Sequence, residues 1–186
     1  MGMSVVVGSV LLLAVLAWAV FAYNRLVRLR NQVRTAWADI DVQLARRHDL
    51  VPNLVAAVRG YAAHEAAVLD AVTELRARAV AQRAPAALGE AESALEQALS
   101  RLLVLQEAYP ELKASENFAR LQADLVDVEE HLQFARRFYN GAVRELNDAV
   151  QRVPDVIVAR AAGFREAEFF QAGDEARPAP AVELAP

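Results

Sequence analysis

Tyr23-Asn24-Arg25-Leu26-Val27-Arg28-Leu29-Arg30-Asn31 follows directly on Met1–Ala22, a segment with no charged side chain. Between Met3 and Ala22 nearly every residue is Val, Leu, Ala, Trp or Phe. At ~1.5 Å rise per residue this run spans ~30 Å, the hydrocarbon thickness of a bilayer. No Gly or Pro separates it from Leu26, Leu29, Val33, Ala36 and Ile40, a three-four alternation that marks one helical face. The sequence therefore predicts one helix with two parts: a span, and the first helix of a bundle. Ala17-Trp18-Ala19 imitates a signal-peptidase site. However, no Lys or Arg precedes the apolar run, and the run exceeds a signal core of roughly 7–15 residues. An uncleaved anchor is the better reading.

Arg25, Arg28, Arg30 and Arg34 crowd the carboxyl side of the span, and no acid appears before Asp39. Basic residues close to a span stay cytoplasmic. The expected placement is the cell (inner or cytoplasmic) membrane, single-pass, with the N-terminus outside and the bundle in the cytoplasm. The absence of cysteine excludes disulfides and thiolate metal sites. A net charge of -4 with dispersed basic residues gives nucleic-acid binding no support.

The remaining apolar spacing is helical throughout, with a break expected near Asp49–Pro52. A second segment then carries Leu54, Val58, Tyr61, Glu65, Val68, Val72, Leu75 and Ala79. Pro85 and Gly89 mark the next connection, and a third segment runs through Leu88, Ala91, Leu95, Ala98, Leu102 and Leu105. Tyr109-Pro110 ends it, and Ser115 is the expected N-cap of a fourth. That fourth segment repeats from Phe118 to Val153 and stops at Pro154. The predicted fold is all-α: an antiparallel up-down-up-down four-helix bundle, its first helix continuous with the transmembrane helix, plus a short helix over Val156–Ala162 closed by Gly163. The expected division is an anchor over 1–24, a bundle over 25–170 and a disordered tail over 171–186, where large apolar groups are scarce.

Within this frame, Tyr23–Asn31 leads into Ala36-Trp37-Ala38-Asp39-Ile40-Asp41-Val42-Gln43-Leu44-Ala45-Arg46-Arg47-His48-Asp49-Leu50-Val51-Pro52-Asn53-Leu54-Val55. Further matches are Gly60-Tyr61-Ala62-Ala63-His64-Glu65, Glu107–Ala114, Ala135–Asn140, and Pro154 with Gly163-Phe164. Across Tyr23–Phe170 the chain resembles the LemA family of bacterial membrane-anchored helical proteins. The resemblance implies a single N-terminal span and an all-helical bundle, and brings no reaction or catalytic residue with it. One departure is Leu146 before Asn147, where the family pattern often has an aromatic; it bears on local packing alone.

No Glu-x-x-His pair accompanies His48, His64 or His131, and no His-Glu-x-x-His, phosphate loop or Gly-x-Ser-x-Gly is present. No catalytic, metal or cofactor residue is assigned, and the expectation is a non-enzyme. The densest polar cluster is Gln43, Arg46, Arg47, Asp49 and Asn53. Its structural reading makes it a helix junction: Asp49 caps the second helix, Pro52 opens it, and the arginines bind carbonyls at the end of the first. Its functional reading is a membrane-distal rim that docks a protein. Glu65 sits on an otherwise apolar seam: either it lies level with Ala36–Trp37, where the indole or Arg34 would reach it, or the seam drifts and Glu65 is half exposed, which is the commoner case.

The expected function is a membrane-anchored, non-catalytic scaffold or adaptor that presents its bundle to protein partners or to copies of itself. The alternative is a membrane-surface protein that senses or remodels lipid through the span and residues 156–170. The expected partners are the lipid bilayer and proteins whose identity the sequence does not give; long helical seams also allow homo-oligomers.

Overall fold

The computed structural model describes residues 2–170. It is all-α: α1 Gly2–Arg59, α2 Ala66–Ala81, α3 Pro85–Val104, a 3-10 turn Leu105–Glu107, α4 Pro110–Lys113, α5 Glu116–Gln151 and α6 Asp155–Ala161. The expected tail over 171–186 lies outside the described residues. The chain gathers into two compact units, one holding the chain to Leu44 with His131–Phe169, the other holding Ala45–Glu130. The junction reading holds, because α1 runs 58 residues without interruption from the apolar stretch into the bundle. It is the one helix among the described residues that is long and apolar enough to cross a membrane. Only 6% of its apolar window is buried by protein, which separates it from the core helix of a soluble domain.

In the first unit, Leu26, Ala36 and Ile40 of α1 are fully buried, as are Leu132 and Val143 of α5. Trp37 meets Tyr139 edge-on, with ring centroids 5.2 Å apart. Twelve residues separate Trp37 from Arg25, and twelve separate Tyr139 from Gln151. At ~1.5 Å per residue, α5 therefore ends about level with Arg25. There Asp155, at the start of α6, accepts from Arg25 Nη1 at 2.6 Å. α6 closes by a Schellman arrangement. Gly163 has φ +71, its N–H donates to Arg160, and the Phe164 N–H donates to Ala159 at 2.9 Å. A side chain at 163 would strain that cap. The chain leaves it with Phe164 buried, edge-on to Tyr23 and beneath the Arg30 guanidinium.

In the second unit, the last part of α1, then α2, α3 and the first part of α5 alternate in direction, giving the expected up-down-up-down order. Contacts of Arg47 and His48 with Arg76, Glu92 and Glu129 bring the start of this unit's part of α1, late α2, early α3 and the end of its part of α5 to one level. The core of this unit includes Val51, Leu54, Val58, Leu69, Val72, Leu95, Leu102, Leu112 and Phe118. Ser115 caps α5 as expected, its Oγ accepting from the Phe118 N–H at 3.4 Å.

One boundary differs from the sequence reading. α1 does not end near Asp49–Pro52; it passes through Pro52, and the first turn falls at Gly60–Glu65. Proline in a helix removes the N–H that would bond the carbonyl four residues earlier. Here that carbonyl belongs to His48, and Arg76 Nε of α2 donates to it at 2.7 Å. The carbonyl that proline orphans is bonded from outside, and Pro52 itself faces solvent. The helix continues because its break is repaired by a neighbour.

Candidate functional site: a buried charge layer and an aromatic groove

Arg47 explains much of the second unit. The α1 seam continues past Leu44 through Arg47, Val51, Leu54 and Val58, so the three-four alternation directs a guanidinium into the interior. Arg47 is 1% exposed and Glu92 0%. Arg47 Nη1 donates to Glu92 Oε2 at 3.3 Å, and Nη2 lies 3.4 Å from Glu129 Oε2. His48 Nε2 stands 2.7 Å from Glu92 Oε1, so both oxygens of this carboxylate accept. Burying an ionised side chain is tolerated only when it is paired and hydrogen-bonded. Arg47 Nε has no hydrogen-bond partner, so the pairing is incomplete. At the surface of the same level, Arg46 Nη2 lies 3.4 Å from Asp127 Oδ2, with both side chains about half exposed.

These contacts revise the helix-junction reading of the polar cluster. Asp49 caps no helix, Pro52 opens none, and Arg47 binds carboxylates rather than carbonyls. Asp49 and Asn53 are exposed mid-helix residues, with Asn53 Nδ2 3.4 Å from the Asp49 carbonyl. Gln43 belongs elsewhere, on a groove in the first unit. Glu65 does not meet Trp37 or Arg34; it is half-buried, as the seam-drift reading has it. It precedes α2 and accepts from the Tyr109 hydroxyl at 3.2 Å. Burial first, and then the Glu65 carboxylate, hold the Tyr109 phenol above its ordinary pKa.

The groove lies between α1 and α5 of the first unit, has a volume of about 320 Å³, and is lined by Asp39, Val42, Gln43, His131, Phe134 and Phe138 among others. Phe134 is 67% exposed, Val42 57% and Phe138 51%. Phe134 and Phe138 are one helical turn apart and off the buried seam, so core packing does not account for them. The Arg137 guanidinium lies 4.6 Å from the Phe134 ring centre, a cation–π contact on the open face. Such a cluster of large exposed apolar groups marks a contact surface more than a reaction centre.

Asn147, which follows the departure at Leu146, is a buried clamp. Its Nδ2 donates to the Ala167 carbonyl at 3.0 Å, and its Oδ1 accepts from the Ala167 N–H at 2.8 Å. Tyr139 adds a bond from its hydroxyl to the Glu168 carbonyl at 2.8 Å. Together they hold the extended segment after Gly163 along α5. Burial, and then the Glu168 carboxylate, raise the Tyr139 phenol above its usual value. Of the four junction arginines, Arg25 pairs with Asp155 and Arg30 covers Phe164, while Arg28 and Arg34 are exposed. Among the described residues no group of three or more His, Asp or Glu could hold a metal ion.

A helical bundle continuous with one long apolar N-terminal helix, its buried polar groups used chiefly for internal pairing, defines a class of helical proteins with one candidate span. Within that class the chain belongs to the LemA family, whose model matches residues 36–184. Similar proteins include magnetosome protein MamQ 2 of Paramagnetospirillum magneticum, 25% identical over 91% of this chain and 73% of its own length. MamQ of Magnetospirillum gryphiswaldense is 23% identical over 88% of this chain and 71% of its own length.

Proposed function

We propose that this protein is a single-pass, membrane-anchored, non-catalytic scaffold that presents its helical bundle to protein partners beside the cytoplasmic face of the membrane. One observation carries the reading: α1 extends without a break from a lipid-length apolar stretch into the buried seam of the bundle. A stiff connection of this kind fixes the height and facing of the surface it carries. The exposed aromatic groove supplies a contact face, and the buried charges are engaged with one another rather than directed into a pocket. The related MamQ proteins are named for a cellular structure and not for a reaction, which agrees with a scaffolding role. The orientation rests on Arg25, Arg28, Arg30 and Arg34. Protease added to intact cells should leave the bundle uncut, whereas cleavage from outside would reverse the orientation. Carbonate extraction tests the anchor, since release into the supernatant would remove it.

A membrane-surface role has its own supporting observation. Val153 and Ile157 are 78% and 64% exposed beside the Arg25–Asp155 pair, three residues past Ala22. Two apolar side chains at that height suit the interfacial layer of a bilayer. Flotation of the 25–170 fragment with anionic vesicles tests this reading, and absence of binding would dismiss it.

A further inference from the structure

We propose that the groove between α1 and α5 is a homotypic interface, occupied by the same face of a second copy anchored in the same membrane. The inference rests on the membrane-mounted scaffold reading and names the partner of its contact face.

The argument begins with register. The Trp37–Tyr139 contact sets a common height on α1 and α5. Asp39 lies two residues beyond it on α1, and Arg137 two residues beyond it on α5; Val42 and Phe134 each lie five beyond. In antiparallel helices equal offsets mean equal heights. Asp39 is thus level with Arg137, about 3 Å past the contact, and Val42 is level with Phe134, about 7.5 Å past it. Asp39 lines the groove and is exposed, and the exposed Arg137 guanidinium sits at its rim, stacked on the ring of the lining residue Phe134.

Two copies anchored by the same helix stand at the same height, related by a two-fold axis along the membrane normal. Such an axis brings α1 of one copy opposite α5 of the other and preserves height. Asp39 then faces Arg137 of the second copy, and Val42 faces its Phe134. Opposite charges meet twice and apolar groups meet twice, so the face is complementary to itself. The exposed parts of Phe134, Phe138 and Val42 offer roughly 300 Å² of apolar surface per copy. The pair buries about half the ~1,200 Å² of a small stable interface. The patch alone would dimerise weakly in solution; confinement by two anchors at one height raises the effective concentration and supplies the rest. A second copy satisfies the height match by construction, whereas a soluble partner gains nothing from it.

The test uses full-length protein in liposomes, with copies labelled for energy transfer, and the variants Asp39→Arg and Arg137→Asp. Each variant alone places like charges opposite each other and should weaken dimerisation by about tenfold or more. Mixed together, the two variants restore both opposite-charge contacts, so energy transfer between them should return to the unsubstituted level. Recovery in the mixture identifies contact between copies, because repair within one chain could not produce it. Retained helicity by circular dichroism checks folding, and Phe134→Ser with Phe138→Ser should abolish transfer by an independent route. Carbonate-resistant protein that stays monomeric overturns the interface and spares the anchor. Single variants that dimerise normally, or a mixture that fails to recover, also overturn it. Protein released by carbonate overturns both readings.

Discussion

Replacing Glu92 by Leu removes the carboxylate that accepts from both Arg47 and His48 while keeping a side chain of similar bulk. Arg47 is 1% exposed, so its charge cannot turn to water once Glu92 is gone. Breaking a buried pair by deleting one partner costs ~3–5 kcal/mol, chiefly because the other charge stays buried. Glu129 still lies 3.4 Å from Arg47 Nη2 with its side chain 21% exposed, which places the expected cost near the lower end, about 3 kcal/mol. For a domain of this size that lowers the melting temperature by roughly 6–12 °C. Thermal loss of helical circular dichroism, measured on detergent-solubilised protein, gives the value. Arg47→Met separates charge from packing: combined with Glu92→Leu it removes the cation with its partner, and the pair should recover most of the loss. The double-mutant cycle should therefore show a coupling of roughly 2–3 kcal/mol. A Glu92→Leu variant within 1 kcal/mol of the parent, or two substitutions whose costs simply add, would refute the reasoning.

Three further outcomes follow from the geometry. Arg76→Ala orphans the His48 carbonyl and should cost about 1–3 kcal/mol. In a Pro52→Ala background the restored N–H reaches that carbonyl, so the same change should cost measurably less in denaturant titration. Asn147→Leu deletes both bonds to Ala167 and should cost about 1–3 kcal/mol, with faster hydrogen exchange over Arg165–Glu168 as the direct sign that the segment has been released. Tyr109 and Tyr139 have phenols raised above the ordinary value, so the folded state holds those protons more tightly than the unfolded chain does. The stability they contribute is complete below about pH 10 and is lost as pH rises through the raised values. Ultraviolet titration of tyrosinate should show a late component at Tyr109 that shifts to lower pH in Glu65→Gln.

The helical class, the continuous junction, the alternation of the bundle and the Ser115 cap could all be read from the sequence because each depends on local spacing. Reading Pro52 as a breaker puts the first turn too early. Yet the seam stays in phase across it, from Ile40 and Leu44 through Arg47, Val51, Leu54 and Val58. Phase was the better signal, but the donor that makes the proline tolerable comes from Arg76, which no local pattern indicates. The charge layer is half legible: the three-four spacing carried past Ile40 and Leu44 lands on Arg47, while its acceptors Glu92 and Glu129 come from distant helices. Phe134 and Phe138 could have been found as a one-turn aromatic pair off the seam. The clamp made by Asn147 has no local signature, since its partner lies in an extended segment 20 residues away.

The unbroken first helix also acts as a rotational gauge. Eighteen residues make five turns of an α-helix, so Phe21, near the end of the apolar run, lies at the same azimuth as Asp39 on the groove. A bilayer or neighbouring span that favours one facing of Phe21 thereby selects the compass direction in which the groove points. One residue inserted between Ala22 and Leu26 would turn that direction by about 100° while lifting it only about 1.5 Å. The height of the platform is forgiving of such a change, but its heading is not.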